Sequence, residues 1–167
     1  MTITWQRVLI VLGLALVLGA AHWSIMARER LLADGNVVFL ELAPVDPRSL
    51  MQGDYMALRF RVAEALRSRD VTVPAEGAMV VTLDRARTAT LQRLDAPATP
   101  LAAGEQRLRY KIRNDQVRIS TNAFFFREGT GDRYRDARYG EFHVGESGEA
   151  LLVALRDKNF KKLGDAL

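Results

Sequence analysis

One stretch constrains the fold of this sequence most: Gly53-Asp54-Tyr55-Met56-Ala57-Leu58-Arg59-Phe60-Arg61-Val62. After a glycine suited to a tight turn, apolar residues stand at every second position, which predicts a β-strand with one buried face. The same alternation places Asp54 at the start of that buried face. A carboxylate there is costly unless it is hydrogen-bonded or paired. We therefore expect Asp54 to accept backbone N–H groups of the preceding loop; ligand contact or acid–base chemistry is the alternative.

The opposite face of this predicted strand carries Tyr55, Arg59 and Arg61. Because strand side chains alternate between faces, these residues point away from the predicted core. They either line a groove or cover a neighbouring strand. Tyr55 and Arg59 are therefore candidate binding residues.

The N-terminal part of the chain is apolar almost without interruption from Val8 to Ala27, and Trp5 and Trp23 lie near its ends. At about 1.5 Å per residue, a helix of this length spans roughly 30 Å, the thickness of a hydrocarbon core. We expect residues 1–35 to form a membrane anchor helix with its extension, and residues 36–167 to form an extracytoplasmic domain. The alternative is a signal peptide cleaved after Gly19-Ala20-Ala21.

The charges that flank the apolar segment do not determine its orientation. Arg7 lies before it, while Arg28 and Arg30 follow it together with Glu29, so neither side carries a clear excess of positive charge. A short tail followed by a long domain favours export of the domain. We therefore expect residues 28–167 on the outer side of the membrane.

The rest of the chain consists of short segments rich in β-forming residues, separated by turn residues. The predicted strands are Val37–Leu42, Ala78–Leu83, Thr88–Leu94, Arg107–Arg113, Val117–Ile119, Ala123–Phe126, Tyr139–Val144 and Ala150–Leu155. Asn114-Asp115 is expected to form a tight turn between the fourth and fifth of them. Arg61–Arg69 is either a helical turn or an extension of the strand before it, and Thr130 is expected to cap a helix from Asp132 to Arg138. This pattern predicts a mainly β (α+β) domain, a curled antiparallel sheet or small barrel with one or two short helices.

Composition excludes several classes of function. The sequence has no cysteine, so it has no disulfide, thiol nucleophile or thiolate metal site. The net charge of +4 is small and the two signs are interleaved, which argues against nucleic-acid binding. His143 is the only histidine after the apolar segment, and no ligand spacing surrounds it. We expect no metal and no cofactor.

A second group of candidate binding residues surrounds the predicted short helix: Glu128, Arg138, Tyr139 and Glu141, with Arg135. On the strand that follows, Phe142 and Val144 are expected to point inward, and Glu141 and His143 outward. The group forms either a network of ion pairs between helix and sheet or a binding site.

The motif of the opening stretch resembles that of the GDYXXLXY family. Gly53, Asp54, Tyr55 and Leu58 match the motif Gly-Asp-Tyr-x-x-Leu-x-Tyr, while Phe60 replaces its last tyrosine. Phe60 can still fill a role that needs an aromatic ring, but it cannot fill one that needs the tyrosine hydroxyl. Three flanking blocks resemble the family as well: Asp46-Pro47-Arg48, Phe124–Gly129 and Arg138–Phe142. The resemblance covers most of residues 37–155.

The resemblance implies a membrane-anchored bacterial protein of unknown function, often encoded beside polytopic membrane proteins. It implies a single pass through the cytoplasmic (inner) membrane, a periplasmic C-terminal domain and an integral membrane protein as partner. It supplies no catalytic residue. We therefore predict a non-enzymatic accessory or interaction domain.

Two other functions remain as alternatives. The domain could bind a small ligand or a peptide in a cleft lined by Tyr55, Arg59, Arg138 and Glu141. It could also be a hydrolase, either with a pair of carboxylates such as Asp54 with Glu128 or Glu141, or of the signal-peptidase kind. The last is disfavoured because Val45 occupies the position of the nucleophilic serine, which leaves Lys111 nothing to activate.

Overall fold

The computed structural model describes residues 5–43, 51–52, 55–69, 72–96 and 99–164. The chain divides into two compact units, Met1–Asp34 and Gly35–Leu167. The first contains helix α1, Trp5–Asp34, which includes one span long and apolar enough to cross a membrane, Val8–Asp34. Its apolar residues occur around the whole circumference, and large side chains such as Leu9, Leu12 and Leu16 are more than half exposed. This distribution suits a helix surrounded by lipid.

The second unit is built mainly of short strands. In chain order they are β1 (Asn36–Glu41), β2 (Met51–Gln52), β3 (Tyr55–Ala57), β4 (Glu76–Leu83), β5 (Ala89–Leu94), β6 (Glu105–Arg113), β7 (Gln116–Arg118), β8 (Ala123–Phe125), β9 (Tyr139–Val144), β10 (Ala150–Arg156) and β11 (Lys162–Leu163). Helix α2 spans Arg61–Arg67, and a 3₁₀ helix spans Gly131–Tyr134.

All strand pairs described within these sheets are antiparallel, and they form the orders β1-β9-β10-β11, β2-β3-β8 and β5-β4-β6-β7. Backbone hydrogen bonds join the sheets at their ends. The N–H of Phe39 in β1 donates to the carbonyl of Arg87 at 2.9 Å, and the N–H of Arg109 in β6 donates to the carbonyl of Gly148 at 2.8 Å. The result is a curled half-barrel.

The core fills the concave side of this half-barrel. It takes fully buried side chains from several sheets, among them Leu40 of β1, Met79 of β4, Leu108 of β6 and Phe142 of β9. Helix α2 contributes Leu66, also fully buried. An apolar N-terminal helix followed by a mainly β domain was the predicted fold class, and it is confirmed.

The predicted hairpin at Asn114-Asp115 is confirmed in detail. Both residues have positive φ, 49° and 61°, and they join β6 to β7. Two consecutive residues with positive φ give the twist that a two-residue antiparallel hairpin needs. Asparagine and aspartate tolerate this conformation better than other non-glycine residues, which explains why the turn was visible in the sequence.

One predicted strand and one predicted helix are shorter in the structure than the sequence suggested. The opening stretch does not remain a strand to Val62, because β3 ends at Ala57 and α2 begins at Arg61; the helical alternative for this segment is the right one. Val62 is still buried, but on the inner side of a helix that also buries Leu66, four residues later. The predicted helix Asp132–Arg138 is only the 3₁₀ turn that ends at Tyr134. The hydroxyl of Thr130 does not cap it and instead donates to the carbonyl of Arg127 at 2.6 Å.

Candidate functional site

The first two motif residues, Gly53 and Asp54, lie outside the described residues, as do Val45 and the block Asp46-Pro47-Arg48. The expected hydrogen bonding of Asp54 therefore stays a prediction. The structure does place the remaining three motif positions.

Leu58 and Phe60 of the motif belong to the core, and each is 2% exposed. The ring of Phe60 meets that of Phe142 in β9 edge to face, with 5.3 Å between the centroids. Such pairs stabilise a core beyond the area they bury. The end of the motif thus fixes the crossing between the segment before α2 and the central strand β9, and it needs an aromatic ring there.

Tyr55 lies on the outer side of the small sheet β2-β3-β8. It is directly opposite Phe125 of β8, and their ring centroids are 5.8 Å apart. The side chain of Phe125 is 63% exposed, whereas Tyr55 is half-buried. Tyr55 therefore covers part of a neighbouring strand, which is one of the two roles predicted for it. Together the rings of Tyr55 and Phe125 form an outward aromatic face.

Arg59 does not join this aromatic face. It is exposed and borders a separate cavity of about 140 Å³ between α2 and the β6–β7 turn, which Glu64 and Arg67 also line. Arg67 forms an ion pair there with Asp115. The structure thus separates Tyr55 from Arg59, which the sequence had placed on one strand face.

The polar group around the 3₁₀ helix is also divided. Glu141 is 8% exposed, so the prediction that it points outward is wrong. Its Oε2 accepts the Nε–H of Arg156 at 2.6 Å, and Nη1 of Arg156 donates to the carbonyl of Phe160 at 2.9 Å. Strand β9 is covered on both faces, by the core beside Phe142 and by the Arg156 side chain beside Glu141, whereas simple alternation assumes one wet face.

The other members of this group do not meet Glu141 in the described part of the chain. Glu128 and Arg138 are exposed. The ring of Tyr139 stacks on Phe160 with 4.6 Å between centroids, and Arg135 pairs with Asp132 at 2.9 Å. Tyr139 and Glu141 thus both help to hold the segment around Phe160 against β9 and β10, which is a structural role.

We expect Glu141→Gln to lower the free energy of unfolding by about 2 kcal/mol, because it leaves the Arg156 guanidinium, partly withdrawn from water, without its counter-charge. Asp132→Asn is the matched control, since it removes a carboxylate from an ion pair whose side chains are 71% and 79% exposed. Its effect should stay within about 0.5 kcal/mol. Urea unfolding of the full chain in neutral detergent, followed by tyrosine near-ultraviolet circular dichroism, measures both; equal losses would contradict the structural role of the pair.

A cleft of about 720 Å³, which the sequence did not predict, opens among the described residues. Its walls come from β4, β6, β7 and the start of β10. Its lining residues include Glu76, Gly77, Arg109, Tyr110, Lys111, Arg113, Arg118 and Glu149. Tyr55, Arg59, Arg138 and Glu141 do not line it, so the structure does not bring the predicted ligand-binding residues together in this cleft.

The cleft exists because β6 exchanges its neighbour partway along its length. β7 pairs only with Lys111, Ile112 and Arg113. Before that point the free edge of β6 bonds to the β9–β10 turn, through the N–H of Arg109 and the carbonyl of Gly148. The gap between the end of β7 and this turn opens onto the basic face of β6.

The cleft is rich in arginine. Lys111 pairs with Glu76 at 3.1 Å, but Arg109, Arg113 and Arg118 have no ion-pair partner among the described residues. The alternation of Arg and Lys with apolar residues along β6 was visible in the sequence. The sequence did not show that Arg118 lies opposite Lys111, or that the turn at Gly148 borders one side of the cleft.

Tyr110 forms the buried end of the cleft and is 2% exposed. Its hydroxyl lies beside Gly77, where a Cβ would come within 3.1 Å of the oxygen. That hydroxyl has no hydrogen-bond partner among the described residues. Burial raises the pKa of Tyr110 above its ordinary value of 10.0, so the group is a neutral donor at physiological pH.

The described residues contain no group of three or more His, Asp and Glu side chains able to hold a metal ion. The amine of Lys111 is engaged with Glu76, and of the carboxylates considered for a hydrolase, Glu141 is occupied by Arg156. Two features of the described residues face solvent: the aromatic pair Tyr55–Phe125 and the basic cleft.

These features define a class of protein, a half-barrel of antiparallel strands that follows an apolar helix compatible with membrane anchoring. The chain belongs to the GDYXXLXY family, because the family described as GDYXXLXY protein matches residues 17–155, most of its length. No curated protein and no solved structure matches it. The family's function is unknown.

Proposed function

We propose that this protein is a single-pass, membrane-anchored interaction domain that lies on the periplasmic side of a bacterial inner membrane. Its partner is an integral membrane protein, which it contacts through the aromatic face formed by Tyr55 and Phe125. The apolar span Val8–Asp34 supports the anchor.

One observation carries the interaction role. Outside α1, only two large apolar side chains among the described residues are exposed, Leu101 at 36% and Phe125 at 63%. Aromatic residues are enriched at protein interfaces because they bury a large area with few rotatable bonds. Phe125 stands beside Tyr55, so the exposed ring adjoins a residue of the family motif rather than a random surface position.

The neighbourhood of Phe125 also suits a protein partner. β8 is the last strand in the described order β2-β3-β8, so its outer edge has no strand partner there. An edge strand can add a strand from another chain through backbone hydrogen bonds. The aromatic pair would then supply the side-chain contacts of the same interface.

A photo-reactive amino acid placed at position 125 of the full chain in native membranes tests this function. We expect an adduct with a protein that stays in the membrane after alkaline extraction, and a several-fold lower yield in a Tyr55→Ala background. The same photo-reactive residue at Leu101 is the control, because it is exposed and apolar but lies away from the aromatic face. Equal labelling from both positions, or adducts only with extractable proteins, would contradict the proposal.

A further inference from the structure

We propose that the cleft between β4, β6 and β10 binds a phosphate monoester, whose phosphate is held by Arg109, Arg113 and Arg118. This site is separate from the Tyr55–Phe125 face and does not rest on the function proposed above.

The first argument is the concentration of like charge on one side of a sheet. Arg109, Lys111 and Arg113 stand at alternate positions of β6, so they share a face, and Arg118 of β7 is directly opposite Lys111. Like charges opposite each other across a strand pair are destabilising. Glu76 compensates only Lys111. An anion in the cleft would remove the remaining repulsion.

The second argument is the charge balance of the cleft. With Lys111 and Glu76 paired, three arginines face one remaining carboxylate, that of Glu149. The excess of positive charge matches a phosphate monoester, which carries about −1.5 to −2 charges at neutral pH. Guanidinium groups also bind phosphate oxygens in pairs, with two parallel N–H donors. A carboxylate carries only half of the charge that the cleft would balance.

The third argument is the position of Tyr110. This residue lines the cleft, and its hydroxyl lies beside Gly77, its partner in the register of β4 and β6. Tyr110 thus gives the cleft an aromatic wall against which the organic part of a phosphate ester can pack.

The fourth argument is size. The volume of about 720 Å³ lies within the range of roughly 300–1,000 Å³ typical of small-molecule sites. Ala78, Ala150 and the ring of Tyr110 give part of the lining an apolar character. The ligand class that fits is a small organic molecule with one phosphate group, either a soluble phosphate ester or the headgroup of a lipid such as phosphatidic acid.

The test uses phenyl phosphate as the probe and the full chain in neutral detergent micelles, with tyrosine labelled at the ring carbon that bears the hydroxyl. The sequence has four tyrosines, so four signals result, and Tyr110→Phe identifies one of them. We expect phenyl phosphate to shift the Tyr110 signal to saturation and to leave the Tyr55 signal in place. Arg118→Gln should raise the dissociation constant about 10-fold, the loss of one charge-assisted hydrogen bond.

Arg85→Gln is the matched control, because it makes the same charge change at an exposed position in the β4–β5 turn. Equal weakening by Arg85→Gln and Arg118→Gln would reduce the effect to overall charge and overturn the site. A Tyr110 signal that does not shift with millimolar phenyl phosphate would also overturn the site. Benzoate that binds as tightly as phenyl phosphate would overturn the phosphate assignment. Unchanged Tyr134 and Tyr139 signals in the variants verify that they are folded.

Two further arms distinguish the source of the phosphate. Nanodiscs of phosphatidylcholine with phosphatidic acid shift the Tyr110 signal if a lipid headgroup reaches the cleft, whereas nanodiscs of phosphatidylcholine alone leave it in place. A shift by phenyl phosphate in micelles without a shift in phosphatidic acid nanodiscs assigns the site to a soluble ester. A shift in both types of nanodisc would show that the phosphate monoester is not what the cleft recognises, and would overturn the proposal.

Discussion

Phe60→Ala is expected to lower the free energy of unfolding by about 3–5 kcal/mol, the usual cost of removing a fully buried aromatic side chain. Phe60 is 2% exposed, and its loss leaves the ring of Phe142 facing a cavity. Urea unfolding of the full chain in neutral detergent measures the change. All four tyrosines follow Asp34, so their near-ultraviolet signal reports on the second unit.

Phe125→Ala is the control for this substitution, because it removes the same side chain from a position that is 63% exposed. Its effect on unfolding should stay below about 1 kcal/mol, since a surface ring gives up little burial. A similar loss in both variants would show that Phe60 does not fill the core as described. The comparison also verifies that position 125 can be altered for the interaction experiment without unfolding the domain.

Gly148→Ala is expected to cost about 2–4 kcal/mol, from backbone strain combined with overpacking. Gly148 has a φ of +83°, and a Cβ there would stand 3.2 Å from both the carbonyl carbon of Arg107 and the amide nitrogen of Arg109. These neighbours are backbone atoms of β6, so they cannot turn aside as a side chain could. The substitution should weaken the contact between the β9–β10 turn and β6.

Gly104→Ala separates the two contributions. Gly104 has nearly the same φ, +81°, but a Cβ there would meet nothing within 4 Å. It should therefore show the strain alone, about 1 kcal/mol. Unfolding measured by the same method gives the difference between the two variants, which is the cost of the close approach. Equal losses would contradict the tight contact at Gly148.

The sequence predicted those parts of the fold that short segments determine by themselves. The helix that ends at Asp34, the strand register suggested by alternating Leu108 and Tyr110, and the turn at Asn114-Asp115 all follow from local patterns. The burial of Val62 was also predicted correctly, although a helix and not a strand provides it. A helix and a strand can bury the same residues over so short a segment, because their periods of 3.6 and 2 diverge only over several positions.

Features that depend on a distant segment were not predictable. Glu141 is buried because Arg156 of β10 covers its face of β9, and nothing near Glu141 in the sequence indicates this. The cleft requires that the turn at Gly148 meet β6, far earlier in the chain. For the candidate sites, the sequence showed which residues could bind a partner or ligand, namely Tyr55 and the arginines of β6. It did not show their neighbours, because in the structure Tyr55 lies beside Phe125 and Arg59 borders a different cavity.

The pairing of β1 with β9 also determines when this domain can be completed. Asn36 stands opposite Val144, so the first strand to be synthesised waits for a partner made roughly 100 residues later, about 5–20 s at ribosomal rates. During that interval its apolar side, with Val38 and Leu40, has no native cover, and non-local pairing of this kind slows folding. The nascent chain is thus open to aggregation or to chaperones until almost the whole domain has emerged.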